Sequence, residues 1–157
     1  MASESKCWLW FIWYSVNWGT PDFENTMCLC PKFWCILEKS ILDNRKANSI
    51  VKVGATVVDF YKQSWKKISS STDELHEVCT RDWVKYLSKF TNFKMCYYNA
   101  IANFFAGVAA EEDSKWGESV AYLTRAEKSL NHSIGNFNKL MIFNYSSKYN
   151  GFLLSDF

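Results

Sequence analysis

Cysteine and histidine side chains are the residues of this sequence whose types could support metal binding or catalysis. The six cysteines are Cys7, Cys28, Cys30, Cys35, Cys79 and Cys96. The group Cys28–Cys35 offers soft thiolate ligands, but a structural zinc site needs four ligands in a tetrahedron, and His76 and His132 are far away in sequence. Six cysteines in 157 residues are also too sparse for a small disulfide scaffold. We therefore predict no metal and reduced thiols of a cytosolic protein.

The sequence gives no basis for catalysis or for a cofactor. A nucleophilic cysteine needs a base and an orienting group, and neither histidine has a credible neighbour in sequence. A tyrosine-phosphatase loop needs an arginine six positions after its cysteine. The residues at that spacing are Trp13, Trp34, Ile36, Ile41, Lys85 and Ala102. The glycines are isolated, so no phosphate-binding loop is present. The acidic cluster Glu111–Asp113 could bind a cation, although such a cluster is more often a solvated turn.

Length and composition indicate one folded domain. A chain of 157 residues can bury a core, and 48% hydrophobic residues with two prolines argue against intrinsic disorder. The 18 basic and 16 acidic residues leave a net charge of +2 and no basic stripe. Nucleic-acid binders use such a stripe to neutralise phosphates, so that class is disfavoured.

The N-terminal segment carries an apolar run from Cys7 to Val16. This run is shorter than the about 20 residues that cross a membrane, and the residues after it lack the small-residue cleavage pattern of a signal peptide. An interfacial membrane anchor is a second alternative, and poorly ordered or adventitiously packed sequence is the interpretation that we favour. Five of the eight tryptophans lie at or before Trp34, which marks a boundary.

Helical spacing of apolar residues predicts a first helix over about 34–68, after the helix breaker Pro31. Its apolar or small face is Ile50, Val53, Gly54, Val57, Val58, Tyr61, Trp65 and Ile68. A glycine inside a helix lowers the stability of the helix by about 1 kcal/mol relative to alanine. We therefore expect a close contact with another helix at Gly54.

Two further helices are predicted after the serine-rich segment 69–72. Ser71 and Glu74 form a capping box for the second helix, which can be bent near Thr80 and ends at the acidic cluster Glu111–Asp113. Its face is Trp83, Leu87, Phe90, Tyr97, Ile101, Phe104, Phe105 and Val108. Asp113 or Ser114 is the predicted cap of the third helix, and Gly135-Asn136 its stop. The predicted buried face of the third helix is Trp116, Val120, Leu123, Leu130 and Ile134.

Short connections make neighbouring helices antiparallel, so the predicted fold class is an all-α antiparallel bundle. The second and third helices resemble one tetratricopeptide-type hairpin, with small residues such as Ala102, Gly107 and Ala126 where the helices cross. One such hairpin cannot bury its own apolar face and needs stacked neighbours. No second copy is present in the sequence.

Three ordered motifs carry a resemblance to a known family. They are Cys35–Lys46 (CILEKSILDNRK) followed by Val57–Lys62 (VVDFYK), then Asp82–Lys85 (DWVK) through Lys94–Tyr98 (KMCYY), and Ala110–Leu123 (AEEDSKWGESVAYL). Together these motifs make residues 33–135 resemble the middle portion of a Bro-one domain. Such domains belong to Alix-like adaptors of the ESCRT machinery. Within the family, the motif sequences are most similar to those of the His-domain tyrosine phosphatase.

The resemblance implies a protein-interaction module and not an enzyme. It implies that the amphipathic C-terminal helix of an ESCRT-III subunit docks on an exposed apolar patch of the first predicted helix. Residue by residue, that patch falls on Ile36, Ser49 and Val53, with Ile50 beside them. Ser49 stands where relatives place leucine or isoleucine. The alternative for the apolar positions is that they belong to the core.

The resemblance also divides the chain into three parts. Residues 1–32 are an atypical Trp- and Cys-rich segment, 33–135 a partial Bro-one domain, and 136–157 an atypical tail. A complete domain of the family is longer, which predicts a truncated product whose two ends are not native domain sequence. The implied location is cytoplasmic and endosome-associated, with membrane contact through partners. A truncated helical fragment without independent binding activity is the alternative function.

Overall fold

The computed structural model describes the backbone of residues 21–70 and 81–153 and the side chains of 32–70 and 81–142. Four α-helices make up almost all of it: α1 (Pro21–Leu42), α2 (Ala47–Ser70), α3 (Arg81–Glu112) and α4 (Trp116–Leu153). The described residues contain no β-strand. The all-α class is therefore confirmed, whereas the capping box at Ser71 and the bend at Thr80 lie outside the described residues.

The first predicted helix is wrong as one continuous element, because the chain turns at Asn44 between α1 and α2. Asn44 has a φ of 48°, in the left-handed region that asparagine tolerates better than most residues. Its amide donates to the Ile41 carbonyl at 3.0 Å, and the Arg45 amide donates to the Ser40 carbonyl at 3.1 Å. These two bonds close a Schellman motif, which satisfies the last carbonyls of α1.

The start of α1 and the end of α4 also differ from the prediction. Helix α1 begins at Pro21 and continues through Pro31. Proline is tolerated at the first helical position, because the amide hydrogen that it lacks would have no partner within the helix. At the other end, α4 passes Gly135 and reaches Leu153. A Cβ added at Gly135 would meet nothing within 4 Å. Gly135 therefore lies in an ordinary turn of α4 and does not end the helix.

The turn between α3 and α4 repeats the geometry of the first turn. Ser114 has a φ of 59°, and the Lys115 amide donates to the Ala110 carbonyl at 2.8 Å. Ser114 thus ends α3 in a second Schellman motif. The carbonyl of Lys115 accepts the Ser119 amide at 3.0 Å, so Lys115 is the N-terminal cap residue of α4. The prediction that Asp113 or Ser114 caps this helix is wrong.

Each described helix packs against its neighbours in sequence: α1 on α2, α2 on α3 and α3 on α4. Small residues allow the closest approaches. A Cβ at Gly54 would lie 3.2 Å from the Ala102 Cβ, and one at Gly107 would lie 2.9 Å from the Leu123 Cγ. The expected close contact at Gly54 is therefore confirmed, and the helices form a serial array.

The core lies where α1, α2 and α3 meet. Its buried members are Leu37, Ile50, Val57, Tyr61 and Tyr98. The rings of Tyr61 and Tyr98 stack with centroids 5.4 Å apart. Val57 is completely buried, which matches the helical face predicted for this segment and explains why α2 is the central helix of the core.

The buried face of α4 is not the predicted one. Ser119, Ala126, Ser133 and Leu140 are buried at intervals of seven residues. On the neighbouring face, Trp116, Val120, Leu123, Leu130 and Ile134 are between 39% and 64% exposed. Small side chains let α4 approach α3 closely, as the Asn99–Ser129 side-chain hydrogen bond of 3.0 Å shows. The larger apolar side chains are left on the surface.

Candidate protein-interaction surface

The four residues predicted to bind a partner helix lie on α1 and α2, but they differ in accessibility. Ile36 projects from α1 with 48% of its surface exposed, and Ser49 is exposed on α2. Val53 is half-buried and packs against the core cluster. Ile50 is only 2% exposed. Its side chain therefore belongs to the core beneath the surface and offers a partner almost no area.

The accessible residues come from two helices, α1 and α2, that pack against each other. Phe33 on α1 contacts Phe60 on α2, with ring centroids 4.9 Å apart. Because the four-residue turn makes the two helices antiparallel, the turn of α1 that follows Phe33 lies opposite the stretch of α2 that precedes Phe60. Ile36 and Val53 lie on these two stretches. We call Ile36, Ser49 and Val53 the α1/α2 patch.

Hydrogen bonds within each helix and core side chains lie beneath the α1/α2 patch. Buried Ser40 donates its hydroxyl to the Ile36 carbonyl at 2.7 Å, and Thr56 donates to the Lys52 carbonyl at 3.0 Å. Two core residues, Leu37 and Ile50, follow Ile36 and Ser49 directly in sequence and fix both helices from below.

Exposed lysines border the α1/α2 patch. Lys39 lies one helical turn beyond Ile36, and Lys52 lies next to Val53; both are exposed. The described ranges 32–70 hold eight basic and three acidic residues, an excess of five positive charges. This charge favours a partner helix that carries acidic residues along the edges of its apolar face.

The cysteines and the acidic cluster Glu111–Asp113 were the candidates for metal binding or catalysis in the sequence. No group of three or more metal-binding side chains occurs among them. Burial raises the pKa of the Cys96 thiol above its ordinary value, while a hydrogen bond from Asn136 opposes this shift. Cys96 is therefore a protonated thiol at neutral pH and a poor nucleophile. Asp113 pairs with Lys115 at 3.5 Å in an exposed turn. The side chains of Cys28 and Cys30 lie outside the described residues.

A group of aromatic rings around Lys94 was not predicted from the sequence. The Lys94 ammonium lies 5.7–5.8 Å from the ring centres of four aromatic residues: Trp34, Phe90, Phe93 and Tyr98. Cation–π attraction at this range stabilises by about 0.5–2 kcal/mol. Two of the rings, Phe90 and Tyr98, stand four residues from Lys94 in α3, which was a usable signal, whereas the contribution of Trp34 from α1 depends on the tertiary fold.

No helix within the described part of the chain has the length and hydropathy to cross a membrane. The described helices form a serial array with exposed apolar side chains, among them Ile36 on α1 and Trp116 on α4, which defines the class as an all-α helical-array domain. The family model of the BRO1-like domain matches residues 22–153. The chain therefore belongs to the BRO1-like domain family, and the match extends beyond the motif-bearing stretch 33–135 at both ends.

Curated relatives agree with this assignment. The chain is 39% identical over 101 residues to tyrosine-protein phosphatase non-receptor type 23 of rat, human and mouse. The matched stretch covers 64% of this chain and 6% of each relative. The chain therefore corresponds to a small part of proteins that are much longer.

Proposed function

We propose that this chain is an interaction module of the ESCRT and endosomal sorting pathway. In this proposal, the α1/α2 patch binds the amphipathic C-terminal helix of an ESCRT-III subunit. The observation that carries it is the exposure of Ile36 beside the half-buried Val53, over a fixed core. Membership of the BRO1-like domain family supports the choice of pathway. Cytoplasmic and endosome-associated localisation, reached through such partners, follows as part of the same proposal.

The test is a binding titration with a fluorescent peptide of an ESCRT-III C-terminal helix. Ile36→Asp places a carboxylate in the apolar contact without entering the core, because Ile36 is 48% exposed. Val53→Asp adds a carboxylate from α2, where Val53 is half-buried and also packs against the core cluster. We expect each variant to bind at least about tenfold more weakly, since burying one branched side chain contributes about 1.5–3 kcal/mol.

Ala55→Asp is the matched control for these variants, because Ala55 is exposed on α2 away from the core face. It introduces the same charge and should leave the affinity unchanged. Circular dichroism confirms that each variant keeps its helical content. Unaltered binding by a folded Ile36→Asp chain would contradict the proposal.

A helical fragment without independent binding activity is the second candidate. The observation that favours it is the row of exposed apolar side chains on α4, which includes Trp116 and Val120 at 63% and 64% exposure. Exposed apolar surface of this kind promotes self-association. A single monomeric species in size-exclusion chromatography with light scattering, together with peptide binding, argues against this candidate. The Trp-rich N-terminal segment of the membrane-anchor hypothesis lies outside the described residues.

A further inference from the structure

The Lys94 side chain lies where α1 meets the interface between α2 and α3. Its ammonium is 5.8 Å from the ring centre of Trp34 on α1 and 5.8 Å from that of Tyr98 on α3. Tyr98 is 1% exposed, and its ring stacks on that of Tyr61 on α2 with the centroids 5.4 Å apart. One cation is therefore within cation–π range of a ring of α1 and of a ring in the α2/α3 interface.

Two further rings of α3 surround the ammonium. The ring centres of Phe90 and Phe93 are each 5.7 Å from it. Lys94 and all four rings are partly or fully buried, and cation–π attraction is stronger where the cation has lost part of its water. Because the other three rings belong to α3 itself, the attraction to Trp34 is the one that acts between α3 and α1.

Trp34 lies on the inner side of α1. It packs against the core cluster to which Leu37 belongs. Successive residues of an α-helix are about 100° apart around the axis, so Trp34 and Leu37 share one side of α1 and Ile36 projects nearly opposite to Trp34. The contacts of the inner side therefore set the rotation of α1 about its axis, and this rotation sets the direction in which Ile36 points.

The two inner contacts of α1 differ in kind. Leu37 is 1% exposed, and the burial of an apolar side chain is a non-directional interaction. The contact between Trp34 and Lys94 has a preferred geometry, because the attraction depends on the position of the cation over the ring. Leu37 thus holds α1 against the core, while the cation favours one orientation of the helix.

We propose that Lys94 is a positioning residue for the α1/α2 patch: its ammonium holds Trp34 and thereby keeps Ile36 in the orientation that a partner helix meets. The inference rests on the proposed function, in which Ile36 contacts the partner. Lys94 lies on α3 and is not itself a member of the patch. Without its cation, a smaller fraction of the chains holds Ile36 in place, and the apparent dissociation constant rises by the inverse of that fraction.

Lys94→Met and Lys94→Arg separate the charge of this side chain from its packing. Methionine keeps an unbranched apolar chain and lacks the cation, whereas arginine keeps a cation that stacks on aromatic rings. The fluorescent ESCRT-III peptide is titrated and followed by fluorescence anisotropy. We expect Lys94→Met to bind about threefold or more weakly and Lys94→Arg to stay within about twofold of the native chain.

Lys85→Met is the matched control on the same helix. Lys85 is exposed and pairs only loosely with Asp82, at 3.8 Å, so its charge can be removed with little effect on stability. This variant should bind the peptide as the native chain does. Native affinity of Lys94→Met would overturn the inference, and so would a Lys94→Arg chain that binds as weakly as Lys94→Met.

A double-mutant cycle with Trp34→Leu tests whether Lys94 acts through this ring. Two residues that act through one contact have non-additive effects. In a chain that already carries Trp34→Leu, the further change Lys94→Met should therefore weaken peptide binding little. Independent losses of affinity from the two substitutions would overturn the inference.

Hydrogen exchange of α1 gives a readout that does not depend on the peptide. In Lys94→Met, the amides of 33–42 should exchange about threefold or more faster than in the native chain, because α1 opens more readily, and those of 116–142 should be unchanged. Lys94→Arg should restore native exchange. Absence of peptide binding by the native chain would overturn the proposed function, whereas unchanged exchange of α1 in Lys94→Met would overturn the role of Lys94.

Discussion

At the scale of single residues, position 49 decides how strongly the α1/α2 patch can hold an apolar helix. Ser49 is exposed, and it stands beside Ile50, which the core already uses. A hydroxyl at this point gives a partner little apolar area. The patch therefore depends on Ile36 and Val53, one from each helix.

Ser49→Leu should strengthen binding of the ESCRT-III peptide by about tenfold or more, because a buried leucine contributes about 1.5–3 kcal/mol. The measurement is the anisotropy titration used for Ile36→Asp. Asn48→Leu, at the exposed neighbouring position, is the matched control and should change nothing. An unchanged affinity for Ser49→Leu would mean that the partner helix does not reach this turn of α2.

We expect the free energy of unfolding to depend on pH through the thiol of Cys96. Burial raises the pKa of its thiol in the folded chain, so the folded chain retains this proton at pH values where the unfolded chain has lost it. The stabilising contribution is then complete below the unfolded pKa and is lost as pH rises through the folded pKa. Between pH 8 and 10, the free energy of unfolding should fall more for the native chain than for Cys96→Ala. Urea titrations at both pH values measure this, and parallel losses would contradict it.

At the scale of elements, two Schellman motifs define where α1 and α3 end. The periodicity around them was clear enough to predict helices, but the first break was missed. The stretch Asp43–Ser49 lacks a large apolar residue, and this gap was the available signal. Asn44 and Ser114 adopt left-handed backbone conformations that only the local hydrogen bonds reveal.

Asn44→Val should lower the free energy of unfolding by about 1–2 kcal/mol, because a β-branched residue is strained in the left-handed region. Asn44→Gly, which adopts that region freely, should be neutral or stabilising. Chemical denaturation followed by circular dichroism at 222 nm provides the comparison. Equal stability of the valine and glycine variants would show that the turn between α1 and α2 is not fixed by this residue.

At the scale of the whole molecule, stability is distributed unevenly along the array. Among the described helices, α2 packs on both α1 and α3, whereas α1 packs only on α2 and α4 only on α3. The contact face of α4 is formed largely by small side chains such as Ser119 and Ala126, which bury little apolar area. Repeat-like arrays gain stability from each interface between neighbours, so α4, with one described neighbour, is less supported than α2, with two.

Hydrogen exchange should therefore be faster in α4 than in α2, because local opening requires less free energy where fewer apolar contacts are lost. Mass spectrometry of peptides from 116–142 and 50–68 gives the comparison. Equal protection of both segments in the free chain would contradict this distribution.

The sequence by itself determined the helical class, the family and the close contact at Gly54, because a period of 3.6, ordered motifs and a glycine inside a helix are local signals. Tertiary packing decided which apolar residues are accessible. Ile36 and Ile50 both look apolar in sequence, yet only Ile36 reaches the surface. On α4, small residues allowed the closer approach to α3 and left Leu130 and Ile134 outside. Periodicity marks an apolar face, but the shape of the neighbouring helix decides which face is buried.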